Sequence, residues 1–165
     1  MPADIVAAAG LTALTSLSCE CWLDGVVAPL HSLTSLCQLR KLDLTIQGLP
    51  PGEQLPDSLA ALSQLESLSL SVGDSAEPSP KAHLRLLWAW CQAAAQLTFL
   101  DLHSVDLPQL ASNASSSTPS VFPALSELYV WDPVEPLSTS ALGCCKSVKV
   151  LRLDLAKLSR AGWHV

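Results

Sequence analysis

The sequence predicts an α/β solenoid in which about six short strands stack side by side and are joined by helices and turns. Three observations predict it. A leucine motif recurs along the chain, each copy alternates with period two, and the composition is aliphatic far more than aromatic. Of the 165 residues, 49% are hydrophobic, 15% charged and 5% aromatic. That is enough apolar material for one core and too little chain for two ordinary domains, so a single domain over residues 1–165 is expected.

The strands come first because the period defines them. Leu-x-x-Leu-x-Leu stands at Leu39, Leu42, Leu44, again at Leu65, Leu68, Leu70, and again at Leu97, Leu100, Leu102. Looser copies run through Leu14, Leu17, Cys19, through Leu125, Leu128, Val130, and through Val148, Leu151, Leu153. The starts at 14, 39, 65, 97, 125 and 148 are spaced by 25, 26, 32, 28 and 23 residues. Within each copy the Leu-x-Leu step sends two aliphatic side chains to one side of a strand and the residue between them to the other. One such strand cannot bury its leucines, whereas stacked copies bury a continuous column.

These residues resemble the leucine-rich-repeat family from about Leu11 to Leu158. The stretch Leu55-Pro56-Asp57-Ser58-Leu59-Ala60-Ala61-Leu62-Ser63-Gln64-Leu65-Glu66-Ser67-Leu68-Ser69-Leu70 is especially similar to the repeats of plants and algae. The resemblance implies a horseshoe: a curved array with a parallel concave sheet of about six short strands and helices or turns on the convex side.

The connecting segments are read next. Lys81 to Gln96 places Leu84, Leu87, Trp88, Cys91 and Ala95 at helical spacing and predicts a helix lying on the sheet. Ser58 to Ser63, with Asp57 as its N-cap, and Thr139 to Cys145 predict shorter helices. Gly73 to Pro80 and Ala111 to Ser120 are rich in Pro, Ser and Gly and predict exposed loops inserted into repeats (73–80 and 111–120).

The chain also departs from the family pattern. Members usually carry Asn or Cys eight residues after the first leucine, bonding neighbouring turns into a ladder; here those positions hold Trp22, Gln47, Gly73, Val105, Pro133 and Ala156. The turns must then satisfy their backbone groups by other means, and an irregular, less stable horseshoe is expected. No polar cap is evident at either end, which suggests a fragment of a longer array or terminal faces buried against another chain.

Charge and motifs exclude several functions. Nine Lys and Arg against fifteen Asp and Glu give a net charge of −6 with no basic stripe, so nucleic acid is not expected as a partner. Met1-Pro2-Ala3-Asp4 lacks the positive start of a secretory signal, and Leu84 to Gln96 falls short of the roughly 20 apolar residues a membrane span needs. The reading is cytoplasmic, with cytoskeletal or ciliary association as a variant, and no membrane span. Cys19, Cys21, Cys37, Cys91, Cys144 and Cys145 form no Cys-x-x-Cys pair and follow no metal frame, so buried thiols are expected. No cofactor or metal is implied, and no phosphate loop or nucleophile motif occurs.

The residues flanking the motif leucines project from the sheet's other face. In strand order they are Ser16, Lys41, Ser67, Phe99, Glu127 and Val150; then Ser18, Asp43, Ser69, Asp101, Tyr129 and Arg152; then Glu20, Thr45, Ser71, His103, Trp131 and Asp154. The third strand shows only serines, whereas strands four to six carry Phe99, Asp101, His103, Glu127, Tyr129, Trp131, Arg152 and Asp154. Aromatic and arginine side chains on an exposed sheet are the types that become interface hot spots, which makes these eight the candidate partner-binding residues. The alternative is that Phe99 and Trp131 fill irregular packing while Asp101 and Arg152 make ordinary surface pairs. Asp101, His103 and Glu127 could be drawn as an acid/base set, but no nucleophile or pocket stands beside them. The functional expectation is a non-catalytic protein-interaction module using the concave face. The alternative is a structural element that self-associates through its uncapped ends. A receptor ectodomain, the family's other use of plant-like repeats, would need a signal sequence and a membrane span.

Overall fold

The structure is a computed structural model and describes residues 10–22, 28–48, 53–54, 61–73, 84–85, 94–106, 122–131 and 145–154. Its elements in chain order are β1 (Ser16–Trp22), a 3₁₀ helix (Ala28–Ser35), β2 (Lys41–Gln47), β3 (Glu53–Gln54), β4 (Ser67–Val72), β5 (Leu84–Arg85), β6 (Phe99–His103), β7 (Val105–Asp106), β8 (Glu127–Trp131) and β9 (Val150–Leu153). The long strands form one six-stranded sheet in the order β1-β2-β4-β6-β8-β9, and every pairing is parallel. Each begins two residues after the first aliphatic position of a motif, so all six predicted strands are present.

The register is that of the motif. Leu44, Leu70, Leu102, Val130 and Leu153 lie side by side, as do Leu42, Leu68, Leu100, Leu128 and Leu151. Across the inner strands these columns are buried, from 0 to 3% exposed between Leu42 and Val130. A further column was not read from the sequence. Three residues before the last five motifs stand Leu36, Leu62, Ala94, Phe122 and Cys145, all buried, while Leu11 before the first is 59% exposed. Each begins a tight turn in which the first motif residue donates its N–H back to it, as in Leu39 to Leu36 at 2.9 Å and Leu125 to Phe122 at 3.1 Å. In these repeats the turn brings a further apolar residue into the core ahead of the three motif positions.

The missing asparagine ladder is matched by a different one, made of backbone. The carbonyl of the residue before each strand accepts two successive N–H groups from the next repeat. Thr15 accepts from Arg40 and Lys41, Arg40 from Glu66 and Ser67, Glu66 from Thr98 and Phe99, Thr98 from Ser126 and Glu127, and Ser126 from Lys149 and Val150, at 2.8 to 3.2 Å. Thr98 and Ser126 add their hydroxyls to the same carbonyls of Glu66 and Thr98, each at 3.0 Å. Polar groups at the strand entrances are thereby satisfied without a conserved side chain. At the far ends of the strands the eighth positions differ from one another. Trp22 is exposed, Val105 is fully buried, and Gly73 donates its N–H to Ile46 at 2.8 Å. A Cβ at Gly73 would collide with the side-chain amide of Gln47, so this position accepts no larger residue without displacing Gln47. Pro133 and Ala156 lie outside the described residues.

Two expectations are corrected. Residues 84–85 do not form a helix: they are β5, paired in parallel with β3 on one side and β7 on the other to make a second, three-stranded sheet. A short apolar run carries helical and strand periodicity equally well, and here pairing on both edges decides. Residues 86–93 lie outside the described residues, and Ala94 already belongs to the turn into β6. The six-stranded sheet is also not curled into a horseshoe. A horseshoe bends because helices of about 10 Å diameter back strands spaced about 4.8 Å apart. Here the connections after β2, β4 and β6 carry β3, β5 and β7, which pair with one another at the ordinary strand spacing.

Of the two shorter helices, Ala61 is 3₁₀ and leads into the Leu62–Leu65 turn and Cys145 opens a turn, while residues 58–60 and 139–144 lie outside the described residues, as do 74–80 and 111–120 of the loops. The 3₁₀ helix Ala28–Ser35 carries Leu30 and Leu33, and Leu36 follows it at the same interval of three, all fully buried. That interval matches three residues per turn and lays them along one side. Among the described residues no helix is long and apolar enough to cross a membrane.

The thiols are less uniform than expected. Cys21 and Cys145 are buried and Cys19 is half-buried, but Cys37 is exposed because it falls between the buried Leu36 and Leu39 of a turn. Burial, with Cys19 nearby, pushes the Cys21 thiol up to about 11, so it stays protonated and unreactive at neutral pH. Cys91 and Cys144 lie outside the described residues.

Candidate binding face

The face opposite the leucine columns carries the predicted site residues, in the rows read from the sequence. Ser67, Phe99, Glu127 and Val150 are neighbours across the strands; Ser69, Asp101, Tyr129 and Arg152 form the next row, and Ser71, His103 and Trp131 the third. Because the sheet is not curled, this is an open face and not a concave groove. Asp154 follows β9, where its backbone N–H bonds Val130 at 2.9 Å and carries the third row one strand further.

Strands β6, β8 and β9 tie their outward side chains to one another. The Phe99 and Tyr129 rings lie 5.4 Å apart in a tilted pair, and the His103 and Trp131 rings stack at 5.7 Å. The Trp131 indole donates from Nε1 to Asp101 Oδ1 at 2.9 Å, reaching diagonally back across the strand pair. The same carboxylate oxygen stands 3.6 Å from His103 Nε2. Tyr129 donates its hydroxyl to Glu127 Oε2 at 3.1 Å, and the Arg152 guanidinium sits over the Tyr129 ring, 5.2 Å from its centre. Seven of the eight predicted residues thus fall into two contact sets, Phe99, Glu127, Tyr129 and Arg152 in one and Asp101, His103 and Trp131 in the other.

Burial against its neighbours raises the Tyr129 hydroxyl above its ordinary value near 10, as do donation to Glu127 and the charges of Glu127 and Asp101; Arg152 acts in the opposite sense. The phenol is thus held as a neutral donor. Phe99, Tyr129 and Trp131 are only half-buried, so each keeps a solvent-facing surface while its orientation is fixed. Asp101 thereby holds an indole and an imidazole side by side.

Strands β1, β2 and β4 have a different face. Ser18 donates to Asp43 at 3.2 Å, Gln47 reaches Glu20 at 3.5 Å, and Arg40 pairs with Glu66 at 2.6 Å beside the face. The sequence reading missed one large side chain here. Trp22, 51% exposed, ends the outward series Ser16, Ser18, Glu20, Trp22. Extending the period-two pattern of β1 by one step would have found it.

Ser104 marks where the C-terminal face ends. It occupies the position that Ile46 and Val72 fill in earlier repeats, takes a left-handed conformation (φ 54°), and donates its N–H to the Trp131 carbonyl at 3.0 Å. The backbone turns there and hands the core position to Val105, which is fully buried and begins β7. This closes β6 at His103 and fixes the end of the strand that stacks on Trp131. Neither a family model nor a curated protein matches this chain.

Proposed function

We propose that this chain is a leucine-rich-repeat interaction module, non-catalytic, that binds a protein partner through the open face of β6, β8 and β9. The observation that carries the reading is the cross-strand network on that face. Phe99, Asp101, His103, Glu127, Tyr129, Trp131 and Arg152 restrain one another while leaving aromatic surface in water. Side chains already fixed before association lose little further conformational entropy, and amphipathic aromatics with arginine are the residue types that dominate interface energies. The repeat reading is supported by the register. Six strands pair in parallel in chain order, with every motif aliphatic aligned on its counterpart.

The test is a pair of alanine variants, Tyr129→Ala and Trp131→Ala, measured for affinity towards a partner identified with the wild-type chain. Truncating a hot spot costs about 2 kcal/mol, or roughly 30-fold in affinity. A loss of that size in a folded variant supports the reading. Unchanged affinity in both variants removes the face from consideration.

A further inference from the structure

We propose that the chain associates head to tail with a second copy of itself, the outer edge of β9 in one copy pairing in parallel with the outer edge of β1 in the next. This inference is independent of the open-face reading, because it rests on the strand edges. At every internal junction the carbonyl before one strand accepts two N–H groups from the next repeat, through Thr15, Arg40, Glu66, Thr98 and Ser126 in turn. One further step makes the Lys149 carbonyl the acceptor and the Thr15 and Ser16 N–H groups the donors. These stand at the two edges of the sheet, where no strand follows among the described residues.

The remaining edge groups match in the same way. Alternate residues of a strand turn their backbone groups to opposite neighbours. Val150 and Asp154 donate towards β8, which leaves Leu151 and Leu153 directed outward from β9. Thr15 accepts from β2, which leaves Ser16, Ser18 and Glu20 directed outward from β1. Continuing the observed register sets Ser16 beside Val150, Leu17 beside Leu151, Ser18 beside Arg152, Cys19 beside Leu153 and Glu20 beside Asp154.

The apolar surfaces are complementary too. Leu151 is 46% exposed, whereas its row mates Leu128 and Leu100 are fully buried, and Val150 is 37% exposed. At β1, Leu14 and Leu17 pack against the core and are only partly buried. Pairing Leu17 on Leu151 continues the leucine column across the junction. The occupant is a second copy and not a like edge, because two β9 edges both present the acceptor of the doublet and two β1 edges both present its donors. A heterologous contact of this kind does not close on two copies and yields a series of oligomers.

The test uses the full chain in sedimentation equilibrium over a range of concentrations, with three variants. Wild type is expected to show an average mass that rises steadily through dimer and higher species. Ser18→Pro removes an outward N–H from β1, and Leu151→Pro removes one from β9; edge strands tolerate proline where the N–H faces solvent. Each variant alone is expected to be monomeric, and an equal mixture is expected to form a heterodimer and nothing larger, since one free edge of each kind remains. Leu151→Lys puts a charged side chain into the leucine column at the junction and is expected to weaken association tenfold or more. A wild-type chain that stays monomeric at every concentration overturns the proposal. So does a folded proline variant that self-associates alone, or a folded pair that stays monomeric when mixed. Should either proline variant lose the wild-type far-ultraviolet spectrum, Leu151→Lys decides: weakening supports the pairing, and no change or tightening overturns it.

Discussion

The N-terminal strands β1, β2 and β4 and the C-terminal strands β6, β8 and β9 share one backbone register and the same inward columns, yet their outward faces have little in common. The first half shows serines, isolated polar pairs and an exposed Trp22; the second carries an aromatic and charged network. The difference teaches that fold and surface are specified by separate residues of the same strand. Inward leucines are fixed by the need to stack, while outward residues are free to vary because the core does not use them. The sharpest expectation is therefore a contrast between the two faces of the sheet. Leu102→Ala, removing a fully buried side chain from β6, is expected to destabilise by about 2 to 5 kcal/mol. Ser69→Ala, outward on β4, is expected to stay within about 0.5 kcal/mol. Urea denaturation of both variants measures the gap, and equal losses would mean that the core is not organised by the leucine columns.

The second expectation compares the two tryptophans. Trp131 donates to Asp101 and stacks on His103, whereas Trp22 is half exposed on an edge strand. Trp131→Ala is expected to cost about 1 to 2 kcal/mol from the lost bond and ring contact. Trp22→Ala is expected to cost less than about 0.5 kcal/mol. If the two losses are equal, the network on the C-terminal face contributes nothing beyond ordinary surface packing.

How much of this was legible in the sequence follows from the same division. The six strands and their rows were, because Leu-x-x-Leu-x-Leu states both the period and the side that turns inward. Seven contacting site residues were legible as well, since a parallel register lets strand position alone predict neighbours. What escaped were features lacking a strict period. Phe122 and Cys145 occupy the column of Leu36 and Leu62, but their differing identities hide it. Leu84 and Arg85 carry a helical pattern that strand pairing on both edges overrides. The curvature implied by the family depends on the thickness of the backing layer, which the strand motif does not encode. Ser104 reads as one more polar residue until its left-handed backbone shows where β6 stops.

A third expectation sharpens the description of the C-terminal network. Tyr129 is the sole tyrosine of the chain, so tyrosinate absorbance reports it alone. Its midpoint is expected above 10 in the folded protein. Glu127→Ala removes the acceptor and a nearby negative charge and should lower the midpoint, though burial keeps it raised. Arg152→Ala removes a positive charge and should raise it further. Because the folded-state value exceeds the unfolded one, the associated stability is fully present below pH 10 and is lost as pH rises through the folded midpoint. A midpoint unmoved by both substitutions would separate Tyr129 from its two charged neighbours.

The smallest effect belongs to the N-terminal half. Arg40 and Glu66 meet at 2.6 Å, but their side chains are 57% and 43% exposed. Water and salt screen such a pair, and holding two long side chains in one geometry offsets much of the attraction, so exposed pairs contribute about 0 to 1 kcal/mol. The carbonyls of both residues meanwhile serve the backbone ladder, which does not depend on the side chains. Glu66→Gln should therefore leave the ladder intact and lower stability by less than about 1 kcal/mol, with the loss shrinking as salt is added. A larger loss that persists at high salt would mean that the pair holds the strand entrances together, and the backbone ladder would then be insufficient by itself to replace the missing asparagines.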